Sequence, residues 1–190
     1  MVHKTKSHPL IANQPALIVV TGIMAAGKST IARLLAQRFA RGVHIEADAL
    51  QRMIVSGGEW VSEPGEPHGE ADVQLRLRLR NMCLLGISFF EAGFTVVLDD
   101  IILGDRWLQL QEELCSLPFS LVVLAPQIDV VQQRDLSRSK TTQGHAWAIY
   151  LDKALRTTMT GTGLWVDTSK QTPEETVDYI LQHLSREGQF

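Results

Sequence analysis

The sequence predicts an α/β fold in which helices cover both faces of a five-stranded parallel sheet. Short apolar runs rich in Val, Ile and Leu alternate along the chain with longer segments whose apolar residues recur at helical spacing. Because a parallel strand pair needs a long crossover, this alternation favours parallel strands linked by helices. The 190 residues, of which 45% are hydrophobic and 21% charged, suffice for one ordinary globular domain.

Each predicted strand is a short run of the kind that is buried on both faces of a sheet. The strands are predicted at 16–21, 43–46, 94–98, 121–124 and 164–167. The segments between them place apolar residues on one helical face. The helices are predicted at 29–40, 48–55, 73–93, 107–114, 129–139, 146–159 and 173–184.

Three segments need a separate argument. Residues 73–80 alternate strictly, as a strand does, but they run on without a breaker to Gly93, so we assign one long helix. Thr172 and Glu175 flank Pro173 as in a capping box, which starts the last helix. The Gly-, Pro- and Glu-rich stretch 56–69 is predicted to be a loop, and its length is typical of a lid or binding loop.

The charge balance argues against a nucleic-acid or membrane-surface partner. The chain has 18 Lys and Arg against 21 Asp and Glu, a net charge of −3, whereas such binders usually carry a basic excess. No run reaches the roughly 18 apolar residues that span a bilayer, and the polar N-terminus lacks the apolar core of a signal peptide. We expect a cytoplasmic protein with a flexible leader at 1–15 and one domain at 16–190. Its cysteines show no zinc or redox spacing and are expected to be buried thiols.

The turn after the first strand carries the strongest motif in the chain. Residues 22–30 read GIMAAGKST, which fits the Walker A pattern G-x-x-x-x-G-K-[ST]. In such a loop the backbone N–H groups point at phosphate oxygens, the lysine reaches the terminal phosphates and the serine hydroxyl can bind Mg²⁺. The residues predicted to bind the nucleotide are Gly22, Ala25, Ala26, Gly27, Lys28, Ser29 and Thr30.

Aspartates follow the second and third predicted strands, where ligands of an open parallel sheet bind. Asp48 is a candidate base for an acceptor hydroxyl, and its alternative role is to cap a helix that begins at Ala49. Of Asp99 and Asp100, we expect one to approach Mg²⁺ and the other to orient the acceptor or a loop. The sequence does not distinguish between the two.

Two arginines are candidates for a group that closes over the transferring phosphate. Arg134 and Arg138 are four residues apart on a predicted polar helix, so they share one face of a lid near 134–145. Guanidinium groups bind phosphates through two nitrogens and keep their charge, which suits them to stabilise a transition state. The alternative is a solvent-facing pair beside Asp135.

Other polar and aromatic residues are less informative. Arg76 and Arg80 share a helical face while Arg78 points elsewhere, and a solvated stripe is the favoured interpretation of all three. Trp60 could stack on a substrate or anchor its loop. The histidines without ligand spacing are expected on the surface or in the core: His44, His68 and His145.

These residues resemble the chloramphenicol phosphotransferase-like group of P-loop kinases, which is related to shikimate, gluconate and adenylyl-sulfate kinases. The similar segments run from Leu17 to about Leu184 and include the Walker A loop, EADALQRM, VVLDDIILGDRW, QRDLSR and LWVDTSKQTPEE. The resemblance implies ATP and Mg²⁺, with the γ-phosphate passed to a hydroxyl of a small molecule. It matches Asp48 to the acceptor-activating aspartate.

The resemblance also matches a C-terminal segment to the loop beside the adenine, with the residues Asp167, Ser169 and Lys170. It is poor over the loop 56–69, which is expected to bind the acceptor, and over 141–163. The reaction type is therefore implied better than the acceptor, for which chloramphenicol is only a first test compound.

Three functions remain open at this point. The leading one is an ATP-dependent kinase for a small hydroxyl acceptor. The second is a polynucleotide 5′-hydroxyl kinase or a zeta-toxin-like kinase, which the acidic stretch 59–72 argues against. The third is a nucleotide-dependent binding or regulatory protein without an acceptor. No Asn-Lys-x-Asp motif supports a GTPase, and neither the oligomeric state nor the preference between ATP and GTP follows from the sequence.

Overall fold

The structure, a computed structural model of the chain, describes residues 14–115, 117–136 and 145–186. It contains one five-stranded sheet in which all pairs are parallel, with the strand order β2-β3-β1-β4-β5. The strands are β1 Leu17–Gly22, β2 Gly42–Glu46, β3 Thr95–Asp99, β4 Ser120–Leu124 and β5 Leu164–Val166. The predicted parallel α/β sheet is confirmed.

Helices connect the strands in the predicted alternation. They are α1 Lys28–Ala36, α2 Ala47–Gln51, α3 Gly69–Glu91, α4 Asp105–Glu113, α5 Ile128–Leu136, α6 His145–Thr158 and α7 Pro173–Arg186. Every residue of β1, β3 and β4 is buried. Since successive side chains of a strand point to opposite faces, both faces of the sheet centre are covered. No helix in the described ranges is long and apolar enough to cross a membrane.

The alternating segment 73–80 lies within α3, as the sequence argument expected. Leu75 and Leu79 are buried, and Leu79 belongs to the core, whereas Leu77 remains about half exposed on another side of the helix. Apolar residues on two sides of one helix therefore produced the strand-like alternation. The helix presses closely on the sheet, because a Cβ added at Gly86 would lie 3.2 Å from the Leu98 side chain.

The predicted capping box of the last helix is confirmed. The Thr172 backbone N–H donates to Glu175 Oε2 over 2.8 Å, and the Glu175 backbone N–H donates to Thr172 Oγ1 over 3.2 Å. Each side chain thus satisfies a donor at the start of α7 that the helix itself leaves open.

The structure corrects two smaller expectations. Helix α2 ends at Gln51 instead of continuing to Val55. Cys83 is buried, and burial raises the pKa of its thiol to about 12, but Cys115 is exposed near the end of α4. The expectation of two buried thiols is therefore wrong for Cys115.

Candidate active site

The phosphate loop between β1 and α1 has the backbone conformation that its glycines predict. Gly22 has φ +148°, and a Cβ there would lie 2.5 Å from the Leu124 carbonyl oxygen, which excludes a side chain. Ala25 and Gly27 also have positive φ, +54° and +99°. Such alternation of conformation turns successive N–H groups toward one side and forms a concavity that binds anions.

Two side chains at the start of α1 complete the phosphate loop. Lys28 Nζ donates to the Ile23 carbonyl over 3.0 Å, so the ammonium lies across the loop. Ser29 Oγ lies 3.3 Å from Asp99 Oδ1 and donates to it. The positive end of the helix, the ammonium and the loop amides together favour a negatively charged ligand.

The two adjacent aspartates serve different ends of the site. Asp99 is buried at the end of β3, where its Oδ1 accepts from Ser29 and its Oδ2 lies 2.5 Å from His44 Nε2. The structure thus places His44 in contact with an acid of the site, which its lack of ligand spacing gave no reason to expect. Thr21 Oγ1 accepts from the backbone N–H of Ile102 over 2.9 Å and fixes the chain that follows the aspartates.

Asp100 belongs to a second charged cluster, with Arg78 and Asp48. Arg78 Nη2 lies 2.6 Å from Asp100 Oδ1, which also accepts the backbone N–H of Ile101 over 2.7 Å. Arg78 Nη1 lies 3.3 Å from Asp48 Oδ1. The side chains of Arg78 and Asp100 are 6% and 3% exposed, whereas that of Asp48 is 49% exposed. Arg78 therefore holds Asp48 by one oxygen and leaves its carboxylate accessible.

The interpretation of the three arginines of α3 as a solvated stripe is wrong for Arg78. Arg76 is exposed and pairs with Asp72 one helical turn away, and Arg80 is exposed as well. Asp48 is also not the cap residue that the alternative role required, since α2 begins at Ala47 after Glu46. Arg78 lies on the face of α3 that packs against α2 and β3, so it enters the site, whereas Arg76 and Arg80 remain exposed.

A cavity of about 650 Å³ joins the phosphate loop to this charged cluster. Its far end is lined by aromatic and apolar side chains, among them Trp60, Val61, Trp147 and Leu151. Trp60 is half exposed there, so it is available to a ligand. Tyr150 donates from its hydroxyl to Glu66 Oε1 over 3.2 Å, which ties the loop 52–68 to α6. The volume is in the range of sites for small molecules.

Arg106, in the first turn of α4, also lines this cavity. Burial lowers the pKa of its guanidinium, and the nearby carboxylate of Asp100 acts in the opposite direction. Arg106 was not among the predicted site residues. Its only signal was its position a few residues beyond the paired aspartates, at the same edge of the sheet.

The loop 52–68 is fastened by a buried glutamine of α3. Gln74 Nε2 donates to the Gly57 carbonyl over 2.7 Å, and its Oε1 accepts the Glu59 backbone N–H over 2.8 Å. The amide of Gln51 also donates to Gln74 Oε1 over 3.0 Å. A side chain that satisfies the loop backbone in this way sets the loop's position next to the cavity.

The segment after β5 meets the phosphate loop through Thr168. Thr168 is buried, and its hydroxyl lies 3.5 Å from the Ala26 carbonyl. Arg134 donates to the Thr168 carbonyl over 2.8 Å and to its hydroxyl over 3.2 Å. Hydrogen bonds from Ser169 hold the pKa of Asp167 below its usual range. The residues on either side of Thr168 were predicted to belong to the site, but Thr168 itself was not.

The predicted site residues therefore fall into three groups. Those that line the common cavity are Ala25, Gly27, Lys28, Ser29, Asp48, Asp99 and Asp100. Those described elsewhere in or behind the phosphate loop and beside β5 are Gly22, Ala26, Thr30, Arg134, Asp167, Ser169 and Lys170. Arg138, most of the lid near 134–145 and most of the leader at 1–15 lie outside the described residues.

The donor set at the phosphate loop fits Mg²⁺. The Ser29 hydroxyl and Asp99 Oδ1 are hard oxygen donors 3.3 Å apart beside the loop amides. Mg²⁺ in nucleotide sites is bound by one or two protein oxygens together with phosphates and waters. Of the two acids, Asp99 is the one that the Ser29 hydroxyl contacts, whereas Asp100 Oδ1 is bound by Arg78 and the Ile101 backbone N–H.

The sheet order, the phosphate loop after β1 and the acids after β2 and β3 define a P-loop fold of the small-kinase type. The sequence matches the family described as chloramphenicol phosphotransferase-like protein over residues 15–185, and the chain belongs to that family. It is a family of P-loop small-molecule kinases. The resemblance found in the sequence is confirmed.

Solved kinase structures share the fold over nearly the whole chain. A sugar kinase from Janibacter sp. HTCC2649 has a TM-score of 0.68 at 20% identity, covering 90% of this chain and 95% of that one. The shikimate kinase of Acinetobacter baumannii in complex with shikimate has a TM-score of 0.62 at 18% identity, covering 91% of this chain and 94% of that one. The Mycobacterium tuberculosis APS kinase in complex with AMPPNP and APS has a TM-score of 0.63 at 14% identity, covering 90% of this chain and 98% of that one. No curated protein matches the chain.

Proposed function

We propose that the protein is an ATP-dependent phosphotransferase that moves the γ-phosphate to a hydroxyl group of a small molecule. The observation that carries this proposal is the single cavity shared by Lys28 and Ser29 at one end and Asp48 at the other. A phosphate donor and a hydroxyl acceptor bound at these two ends would meet inside one cavity, as direct transfer requires.

At the phosphate end, the backbone amides of residues 22–30 and Lys28 bind the β- and γ-phosphates. Lys28 must leave the Ile23 carbonyl, to which it donates over 3.0 Å, to reach the γ-phosphate. When bound, Mg²⁺ would neutralise charge on these phosphates. Ser29 and Asp99 would hold it, while the contact to His44 keeps the second oxygen of Asp99 occupied and fixes the carboxylate's rotation.

At the acceptor end, Asp48 accepts the proton of the attacking hydroxyl. Its carboxylate is half exposed to the cavity and is held by Arg78 through one oxygen, which leaves the other free for an acceptor. Arg78 is a positioning residue, because its guanidinium orients Asp48 against Asp100 rather than meeting the phosphate. Asp100 thereby supports the acceptor end and not the metal.

The contacts of Arg134 suggest a role different from closure over the γ-phosphate. Its guanidinium binds Thr168, which in turn contacts the phosphate loop at Ala26. Arg134 thus fixes the segment beside the nucleotide. Arg138 is proposed as the lid cation, on the sequence argument alone. Asp167, Ser169 and Lys170 are proposed to border the adenine, as the family resemblance implies.

The proposal is tested by a coupled ADP-release screen over antibiotics including chloramphenicol, sugars, sugar acids, nucleosides and oligonucleotides. We expect acceptor-dependent ADP release with a small molecule and one phosphate found in the product by mass spectrometry. The Lys28→Ala variant, prepared identically, identifies contaminating kinases. ADP release that no acceptor stimulates, or that only oligonucleotides stimulate in a salt-sensitive way, would contradict the proposal.

A further inference from the structure

Four cationic side chains among the described residues line the cavity, and their surroundings differ. Arg78 is bound by two aspartates, Arg76 pairs with Asp72, and Lys28 donates to the phosphate loop. Within the described residues (14–115, 117–136 and 145–186), the Arg106 side chain forms neither a hydrogen bond nor an ion pair. A partly buried guanidinium with open donors facing a cavity is costly unless a ligand satisfies it.

Three carboxylates near Arg106 each have a partner of their own. Asp100 binds Arg78, Asp72 binds Arg76, and Glu66 accepts the hydroxyl of Tyr150. These three carboxylates act on the pKa of the Arg106 guanidinium only through their charge and not through a hydrogen bond. The acidic stretch 59–72 thus presents less free negative charge to the cavity than its sequence indicates, so this stretch by itself does not exclude an anionic small molecule.

We propose that Arg106 binds an anionic oxygen group of the acceptor, and that the substrates of this site are hydroxylated organic acids. The inference rests on the proposed function, because it assigns the ligand of the cavity's acceptor end. A guanidinium presents two parallel donors that match a carboxylate or a phosphate ester. With one end bound by Arg106, the acceptor would be oriented so that a hydroxyl group reaches Asp48 across the same cavity.

The test compares matched acceptors that differ in the anionic group: D-gluconate with D-glucitol, shikimate with its methyl ester, and glycerol 3-phosphate with glycerol. Turnover is followed as ADP release, and binding as the shift of melting temperature in the presence of Mg²⁺ and AMPPNP at constant ionic strength. In wild-type protein we expect at least one anionic member to exceed its neutral partner about tenfold in kcat/KM or to raise the melting temperature where the neutral partner does not.

The Arg106→Gln variant is expected to lose this preference, mainly through KM, while the neutral partner changes less than about twofold. Arg106→Lys should restore part of the preference, which a purely structural role would not do. Arg80→Gln removes one positive charge from the exposed side of α3 and is the matched control, expected to retain the preference.

Failure of this inference can be distinguished from failure of the proposed function. Equal use and equal binding of the members of every pair, or a loss in Arg106→Gln that is the same for both members, would overturn the anion site. ADP release that no acceptor stimulates would contradict the kinase proposal. Even then, the anion site can be tested by binding alone. The melting temperatures of wild type and Arg106→Gln would be compared with and without the carboxylate or phosphate compound, and only wild type should show a shift.

Discussion

The two ends of the cavity are built in different ways. The phosphate end is formed mainly by one continuous loop, residues 22–30, whose backbone does most of the binding. The acceptor end is assembled from side chains on α2, α3, α4 and the chain after β3: Asp48, Arg78, Arg106 and Asp100. A loop that wraps a phosphate must be local in sequence, whereas a pocket for a particular small molecule has no such constraint.

The largest expected effect belongs to the phosphate end. Replacing Lys28 by Ala removes the ammonium that faces the terminal phosphates and should lower kcat by about 10²–10³ for every acceptor, since the loss does not depend on the acceptor. The measurement is steady-state ADP release with two chemically different acceptors. A loss confined to one acceptor would show that the role of Lys28 depends on the acceptor, and would contradict the division of the cavity into a phosphate end and an acceptor end.

A pair of neighbouring arginines tests the acceptor end. Arg78→Met leaves Asp100 buried without its cation and should lower the free energy of unfolding by about 3 kcal/mol. Arg76→Met removes only an exposed pair with Asp72, for which about 0.5 kcal/mol or less is expected. Urea unfolding of both variants measures the difference. Equal stabilities would mean that the buried cluster does not organise this end of the cavity.

A smaller effect is expected from the glutamine that fastens the loop 52–68. Gln74→Leu leaves the Gly57 carbonyl and the Glu59 N–H without their partner, so the loop should shift and the acceptor KM rise about tenfold. The kcat should change less, because Asp48 and the phosphate loop are untouched. Gln109→Ala, which removes a hydrogen bond to the α3 backbone away from this loop, is the control. Unchanged acceptor KM in Gln74→Leu would contradict the assigned role.

The smallest effect lies outside the cavity, at the start of α7. The backbone N–H and the hydroxyl of Thr172 lower the pKa of the Glu175 carboxyl below its ordinary value of 4.5. Its carboxylate therefore stabilises the fold above that pH, and this contribution is lost as the pH falls through the lowered value. The melting temperature of Glu175→Gln should lie below that of wild type at pH 7 and converge with it in acid. A constant difference would contradict the capping interaction.

The phosphate end of the cavity could be predicted from the sequence more completely than the acceptor end. The phosphate loop, the alternation of strands and helices around it and the capping box follow from local patterns, and these were predicted. Arg78 was assigned to solvent because the side of α3 that faces the sheet depends on packing against Leu98 and α2, which no local pattern specifies. Arg106 and Thr168 were not predicted as site residues for the same reason, because each acquires its role only through neighbours that are distant in sequence.

The central claim is that Asp48 accepts the proton of a small-molecule hydroxyl during transfer from ATP. The most direct measurement is the rate of acceptor phosphorylation by wild type and Asp48→Asn, followed as phosphorylated product by mass spectrometry, with nucleotide affinity measured in parallel. The account predicts a fall in rate of about 10² with nucleotide affinity unchanged. Full phosphotransfer by Asp48→Asn to the same acceptor would contradict it.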